Sequence, residues 1–444
     1  NRIAREMADR YGISPSQLAG MLAVTSPQAD WRMNVSYVER IADALTQRQD
    51  QEWTPEMEEW ASGWINSATQ KQARATEAKT RKARLQKAKK DAAKSERAFA
   101  AAQAKQEAQT EKRQAAVDAA EAKLAESRAD VREAKKQLRA AIKAGDGKPV
   151  TAARKAVASA EKRQAKANEQ AKKARADLRA LASEAGKAKT QLRKDRDAVT
   201  EKQDRVNEPD PNLTAYEAVR GKRLRELDDA FLQAWWIRSF DEAHNQRGFR
   251  EVTPEGGMLE FATTGSGALE SIGWKSFNAI AKAAELFQDD SVEALNRNLG
   301  GEHKVRNFYN NIFNPEDGRF VTSDTHQVAA NLFLPLGADA TEVTHNFGGT
   351  GSSSVGGIGL NGTYWLYHEA VAQAAAQRQH PDGAPVLPRE MQSISWEAIR
   401  SLFSDSFKRD EKKVNQVRDL WVEYQNGARS IEETWAAIEE LAGG

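Results

Sequence analysis

Lys304 and Asp324 are the residues of this chain whose types and spacing most directly offer chemistry. They bracket KVRNFYNNIFNPEDGRFVTSDTH (304–326). The stretch reads as a helix over Lys304–Ile312, a short extended piece at Phe320–Thr322, and an aspartate heading a helix at Thr325–Leu334. A carboxylate in that place caps a helix, worth about 1 kcal/mol. Set beside a reacting sugar carbon, it also stabilises oxocarbenium charge and activates a nucleophile. An amine alongside can add to the same carbon and form a covalent imine. Taken singly, the two are a solvated lysine and a cap, so their meaning depends on which elements converge on them.

Those elements are helical throughout. Residues 1–53 read as short amphipathic helices: Ile3, Met7 and Tyr11 recur near helical spacing, Gly12 ends the first, and Ser14-Pro15 opens the next. Thr54-Pro55-Glu56 starts a helix that carries Trp60 and Trp64 and shows no clear stop before Gly145. From Ala68 to Arg205 the composition collapses to Ala, Lys, Arg, Glu and Gln, broken at Gly145-Asp146-Gly147-Lys148-Pro149. This predicts two long helices folded back as an antiparallel coiled-coil hairpin with an alanine-rich seam; the alternative is a charged linker without fixed structure. Beyond Glu208-Pro209-Asp210-Pro211 the pattern predicts helices over Leu224–His244, Trp274–Phe287, Val292–Leu299, Tyr364–Arg378, Ser395–Phe403, Glu411–Gln425 and Ser430–Leu441, with glycine-rich loops at 256–267 and 347–362. Trp235, Trp236, Trp365 and Trp396 fall on faces that read as core. The predicted class is all-α. Its divisions are an N-terminal helical part (1–65), the basic hairpin (66–207), the remainder of the core (208–404) and a C-terminal helical extension (405–444).

Charge is segregated. Lys71–Arg205 holds 38 Lys and Arg against 19 Asp and Glu, a net of +19, while the rest holds 28 against 45, a net of −17. The basic part suits phosphate backbones or an acidic partner, or self-association through the hairpin. With no cysteine there is no disulfide, thiol nucleophile or cysteine-ligated cluster. The six histidines show no metal-ligand spacing, so neither metal nor cofactor is expected. No apolar run reaches the roughly 18 residues of a membrane span, and no signal-peptide pattern is present. The expected setting is cytoplasmic, in a bacterial host or encoded by a phage. A chain starting at Asn1 reads as trimmed or as part of something longer.

Ordered this way, the core resembles the helix-hairpin-helix (HhH-GPD) DNA glycosylase superfamily. Leu18–Gln28 with Asp30 is similar to that family's first core helix and its S-x-Q turn. Ile272–Ala283 looks like its lysine-containing helix after a glycine turn, and Leu299–His326 resembles the hairpin, the following lysine and a D-T-H tripeptide. Tyr364–His368 is similar to a tryptophan-bearing helix further on. The resemblance implies an all-α glycosylase fold, interrupted by the hairpin, that acts on a flipped and possibly modified base in double-stranded DNA. Asp324 would hold the catalytic carboxylate position and Lys304 that of a Schiff-base lysine, giving N-glycosidic cleavage with an AP-lyase step. Ser26, Gln28, Gly300, Gly301, His303 and His326 would contact DNA, Gln28 filling the gap left by the flipped base. The hairpin departs from the family form: it reads Leu299-Gly300-Gly301-Glu302-His303, placing an acid where a phosphate would approach.

Other readings compete. Ile3–Leu45 also resembles a helix-turn-helix module, with Tyr11-Gly12-Ile13-Ser14 as its first turn and Ser26–Asp30 at a major groove. With the basic hairpin it would make a non-catalytic DNA-binding or phage structural protein. A transferase acting on hypermodified thymine bases is a third. Gly357-x-Gly359-x-x-Gly362 matches a dinucleotide fingerprint but lacks its flanking βαβ unit, so it reads as a loop.

Overall fold

The computed structural model describes residues 2–443 except 28, 30, 146, 246–247, 254–256, 272, 275, 301–302 and 347–362; the side chains of 345, 346 and 363 are also left aside. The chain is predominantly helical, with eighteen α-helices and one short β-ribbon among the described residues. It divides into two compact units, Asn1–Ile65 with Pro211–Gly444, and Asn66–Asp210 inserted between those two pieces.

The first unit opens with α1 (Arg2–Tyr11), α2 (Pro15–Thr25), α3 (Trp31–Gln47) and α4 (Pro55–Asn66). Ser14 caps α2 reciprocally with Gln17, each side chain accepting the other's backbone N–H. Every residue of α2 from Gln17 to Thr25 is buried, because α1, α3 and later helices enclose it. Gly20 is what permits the closest approach: a Cβ there would meet Leu295 Cδ1 at 3.0 Å and Leu286 Cδ1 at 3.2 Å. The uninterrupted helix expected from Thr54 to Gly145 is broken, since Ser67 ends α4 and caps a new helix by accepting the Gln70 N–H.

That new helix, α5 (Ala68–Ala144), is 77 residues long, and α6 (Gly147–Asn207) has 61. At about 1.5 Å per residue α5 extends roughly 115 Å. The two run antiparallel, as the ion pairs Glu96–Arg196, Lys105–Glu184, Arg113–Asp177 and Lys135–Glu161 require. Val117, Leu124 and Val131 recur every seven residues along the buried seam, facing small partners such as Ala160, Ala167 and Ala171. Alanine lets the backbones come close, and its high helix propensity maintains the arms where little else is buried.

The first unit resumes with α7 (Pro211–Val219), a 3₁₀ turn (Leu224–Glu226) and α8 (Ala230–His244). An antiparallel ribbon of β1 (Arg250–Val252) and β2 (Met258–Phe261) then takes the place of part of the expected loop. Next come α9 (Phe277–Gln288), α10 (Val292–Leu299), α11 (His303–Phe313), α12 (Thr325–Leu332), α13 (Thr341–Asn346), α14 (Thr363–Ala376), α15 (Pro388–Leu402), α16 (Asp405–Arg409), α17 (Glu411–Gln425) and α18 (Ile431–Ala442).

One apolar cluster joins α1–α4 with α7–α11 around Trp235 and Trp236, where Trp235 stacks on Phe277 at 4.3 Å. A buried ionic knot ties it: Asp241 pairs with Arg40 at 2.5 Å and accepts the Trp274 indole N–H at 2.7 Å. A second cluster joins α12 and α15 to α16–α18, so residues 405–444 share a core with the preceding helices. A third holds Val321 against α14 and α15.

Candidate functional site

Three faces of α11 do three jobs. Val305, Tyr309 and Ile312 enter the first core. Asn307 and Asn311 turn to the extended piece after the helix, donating to the Val321 carbonyl at 2.9 Å and to Thr322 Oγ1 at 3.0 Å. Lys304 and Phe308, one turn apart, line a cavity of about 320 Å³. At the end of α10, Gly300 adopts φ +65°, a backbone conformation that glycine takes readily. Arg306 reaches back to fasten the turn, donating to Asn296 Oδ1 at 2.9 Å, the Asn296 carbonyl at 3.2 Å and the Gly300 carbonyl.

Asp324 lines the same cavity. Its Oδ1 accepts the backbone N–H groups of His326 at 2.9 Å and Gln327 at 3.0 Å, capping α12. Its Oδ2 accepts the indole N–H of Trp396, on α15, at 2.9 Å. Two backbone dipoles and one indole thus hold the carboxylate in a single orientation, at the positive end of a helix. Gln327 is fully buried and accepts from Ser395, which sets the register of α15 and hence of Trp396.

The segment leading to Asp324 is latched from behind. The buried Tyr364 hydroxyl donates to the Val321 carbonyl at 2.9 Å and accepts the Ser323 N–H at 3.0 Å and the Asn307 amide at 3.1 Å. Burial pushes the Tyr364 pKa up, keeping the phenol protonated and able to donate. Tyr364→Phe leaves the buried Ser323 N–H without this acceptor. The expected cost is about 1–3 kcal/mol, read as a lower denaturation midpoint with the slope unchanged.

The α2–α3 turn closes the cavity with Ser26 and Ala29, backed by Trp31 and Asn34. Asn34 is buried, donating to the Leu22 carbonyl at 2.8 Å and accepting from Thr25 Oγ1 at 2.6 Å. Lys304, Asp324 and Ser26 therefore share one cleft. No ion pair joins Lys304 to Asp324 among the described residues.

The other expected residues are more dispersed. Gln28 and Gly301 lie outside the described residues, as do Glu302, Ile272 and the 357–362 glycine pattern. Gly300 borders a separate cavity of about 400 Å³ with Val24, Tyr37 and Trp274. His303 is exposed, its ring 5.2 Å from Tyr364 and 6.0 Å from Trp365. His326 lines a third cavity, about 500 Å³, which Asp324 also borders. Trp365 and Trp396 correct the sequence reading: Trp365 is 52 % exposed and Trp396 lines the cleft, so neither is a core residue. Trp31, Asn34 and Trp396 were missed as site residues because each belongs to a helix far from 304–326 in sequence. Among the described residues no group of three His, Asp or Glu could hold a metal ion, and no helix is long and apolar enough to cross a membrane.

Burial pushes the His326 pKa down, reinforced by Lys408 and Arg400 and opposed by Asp324. The unfolded chain therefore takes up this proton first as pH falls below the ordinary value of 6.5. Stability contributed by the neutral imidazole is lost as acid is added. Wild type should lose more melting temperature than His326→Gln between about pH 7 and pH 5; equal losses in thermal melts would contradict this.

Comparison with known proteins follows the first of these elements only. Residues 1–94 match the model of a family of unknown function, DUF7178, which takes in α1–α4 and the start of α5. No curated protein and no solved structure matches the chain.

Proposed function

We propose that the chain is an enzyme with a glycosylase-like helical core and a coiled-coil insertion, acting on the N-glycosidic bond of a nucleotide flipped out of duplex DNA. The observation that carries this reading is the convergence of Lys304, Asp324 and the Ser26 turn on one cavity of about 320 Å³, a size within the ~300–1,000 Å³ of small-molecule sites. In this reading the Asp324 carboxylate, oriented by three N–H donors, stabilises positive charge growing on the sugar as the base leaves. The Lys304 amine then adds to C1′ of the resulting aldehyde; loss of water gives an imine, from which elimination cleaves the strand.

Borohydride trapping tests the covalent step. Duplexes with an abasic site or a modified base should give a reduced protein–DNA adduct, absent from Lys304→Ala. Failure of wild type on every substrate would remove the lyase step and leave at most simple base release.

A second reading, a non-catalytic DNA-binding protein working through the hairpin, draws support from charge segregation, since the cleft sits in the part of the chain with net −17. It predicts that Asp324→Asn leaves function unchanged, whatever it does to the melting temperature.

A further inference from the structure

His326, Arg400, Asp405 and Lys408 border the cavity of about 500 Å³. It shares Ala29, Asp324 and Trp396 with the cleft. Its donors have few partners. Lys408 is only part exposed, and its ammonium makes no ion pair or hydrogen bond among the described residues. Arg400 lies over the Trp396 ring at 4.4 Å and has one long ion-pair contact, Glu397 at 3.9 Å. His326 packs edge-on to the same indole at 5.4 Å, and its Nδ1 is buried with no hydrogen-bond partner.

The two carboxylates at this cavity do not offset those donors equally. Asp324 already accepts three hydrogen bonds. Asp405 is exposed in the first turn of α16 and forms no ion pair with Lys408. Burial pushes the Lys408 pKa down, as does neighbouring Arg400, against the pull of Asp405 and Asp324. Two cations held together at one cavity with spare donors call for an acceptor-rich anion.

We propose that this second cavity is a phosphate-binding subsite in which Arg400 and Lys408 grip a phosphate group next to the cleft. Its use by the phosphate of a DNA strand rests on the reading of the cleft as a nucleotide site; its affinity for phosphate does not.

Titration calorimetry on the full chain tests this with inorganic phosphate, a 5′-mononucleotide and a short single-stranded oligonucleotide. Saturable one-to-one phosphate binding is expected, weakened roughly tenfold or more by Arg400→Gln and Lys408→Gln, each a lost charge-assisted contact. Lys408→Arg should restore it, showing that the loss is one of charge and not of folding. Lys412→Gln, exposed on α17, is the control for non-specific attraction and should bind as wild type. Competition by the oligonucleotide assigns the subsite to a strand; competition by the mononucleotide alone assigns it to a free nucleotide. Absence of saturable phosphate binding, or equal affinity in wild type and both glutamine variants, overturns the proposal. Phosphate binding together with failed borohydride trapping would keep the subsite and remove the lyase step.

Discussion

Asp324→Asn is expected to lower single-turnover base release roughly 10²–10³-fold, the loss typical when a preorganised electrostatic group is removed from developing charge. The substitution suits the test because asparagine also caps helices well, so its oxygen can still accept the His326 and Gln327 N–H groups. The amide NH₂ must then face the Trp396 indole N–H, donor against donor, where Oδ2 now accepts at 2.9 Å. That costs about 1–3 kcal/mol of stability, a separate quantity measured by melting the same preparation. A variant that melts lower and releases base at the wild-type rate would reduce Asp324 to a helix cap and end the catalytic reading. A variant with lost activity and a modest drop in melting temperature would establish the carboxylate's charge as the working element.

Replacing Lys82, Lys87, Lys89, Lys90 and Lys94 together by glutamine should produce the largest change in DNA affinity. These five residues are exposed on α5 and make no ion pair among the described residues, unlike Lys105 and Lys135, which pair across to α6. Outside residues 71–205 the chain carries net −17, so long-range attraction to a polyanion should come chiefly from the hairpin. If the full chain neutralises six to ten phosphates, it should lose on the order of 10³–10⁵ in affinity between about 50 and 200 mM salt. With all five lysines in contact, their removal should flatten the slope of log K against log salt by about 4.5, at ~0.9 per contact. An unchanged slope would show that these lysines touch no phosphate. Binding insensitive to salt would turn the hairpin toward an acidic protein partner. The cross-helix pairs and the buried seam are untouched by the substitution, so loss of the hairpin itself would not explain the result.

Much of the helical inventory was legible because the signals are local. Alanine-rich composition and the Gly145–Pro149 break announce α5 and α6, and Ser14-Pro15 announces α2, through propensity and capping that depend only on neighbours in the chain. Asp324 as a cap was legible for the same reason. The break at Ser67 was not, since a serine inside a helical pattern becomes a boundary only when the chain on either side packs differently. The β-ribbon at 250–261 was also obscured, by short strands among glycines with little alternation.

The sequence by itself determined which residues could do chemistry and the segments that carry them: a lysine at the head of one helix, an aspartate at the head of the next, and a basic hairpin set apart from an acidic remainder. Only the tertiary structure decided that Lys304, Asp324 and Ser26 line one cavity, that Trp396 holds the aspartate's second oxygen, and that Arg400 and Lys408 border a second cavity with it. The physical reason is sequence separation. Helix periodicity and capping act over a few residues, whereas the Trp396–Asp324 bond spans 72 positions and the Tyr364–Val321 latch spans 43. Contacts of that reach are set by how the buried faces pack.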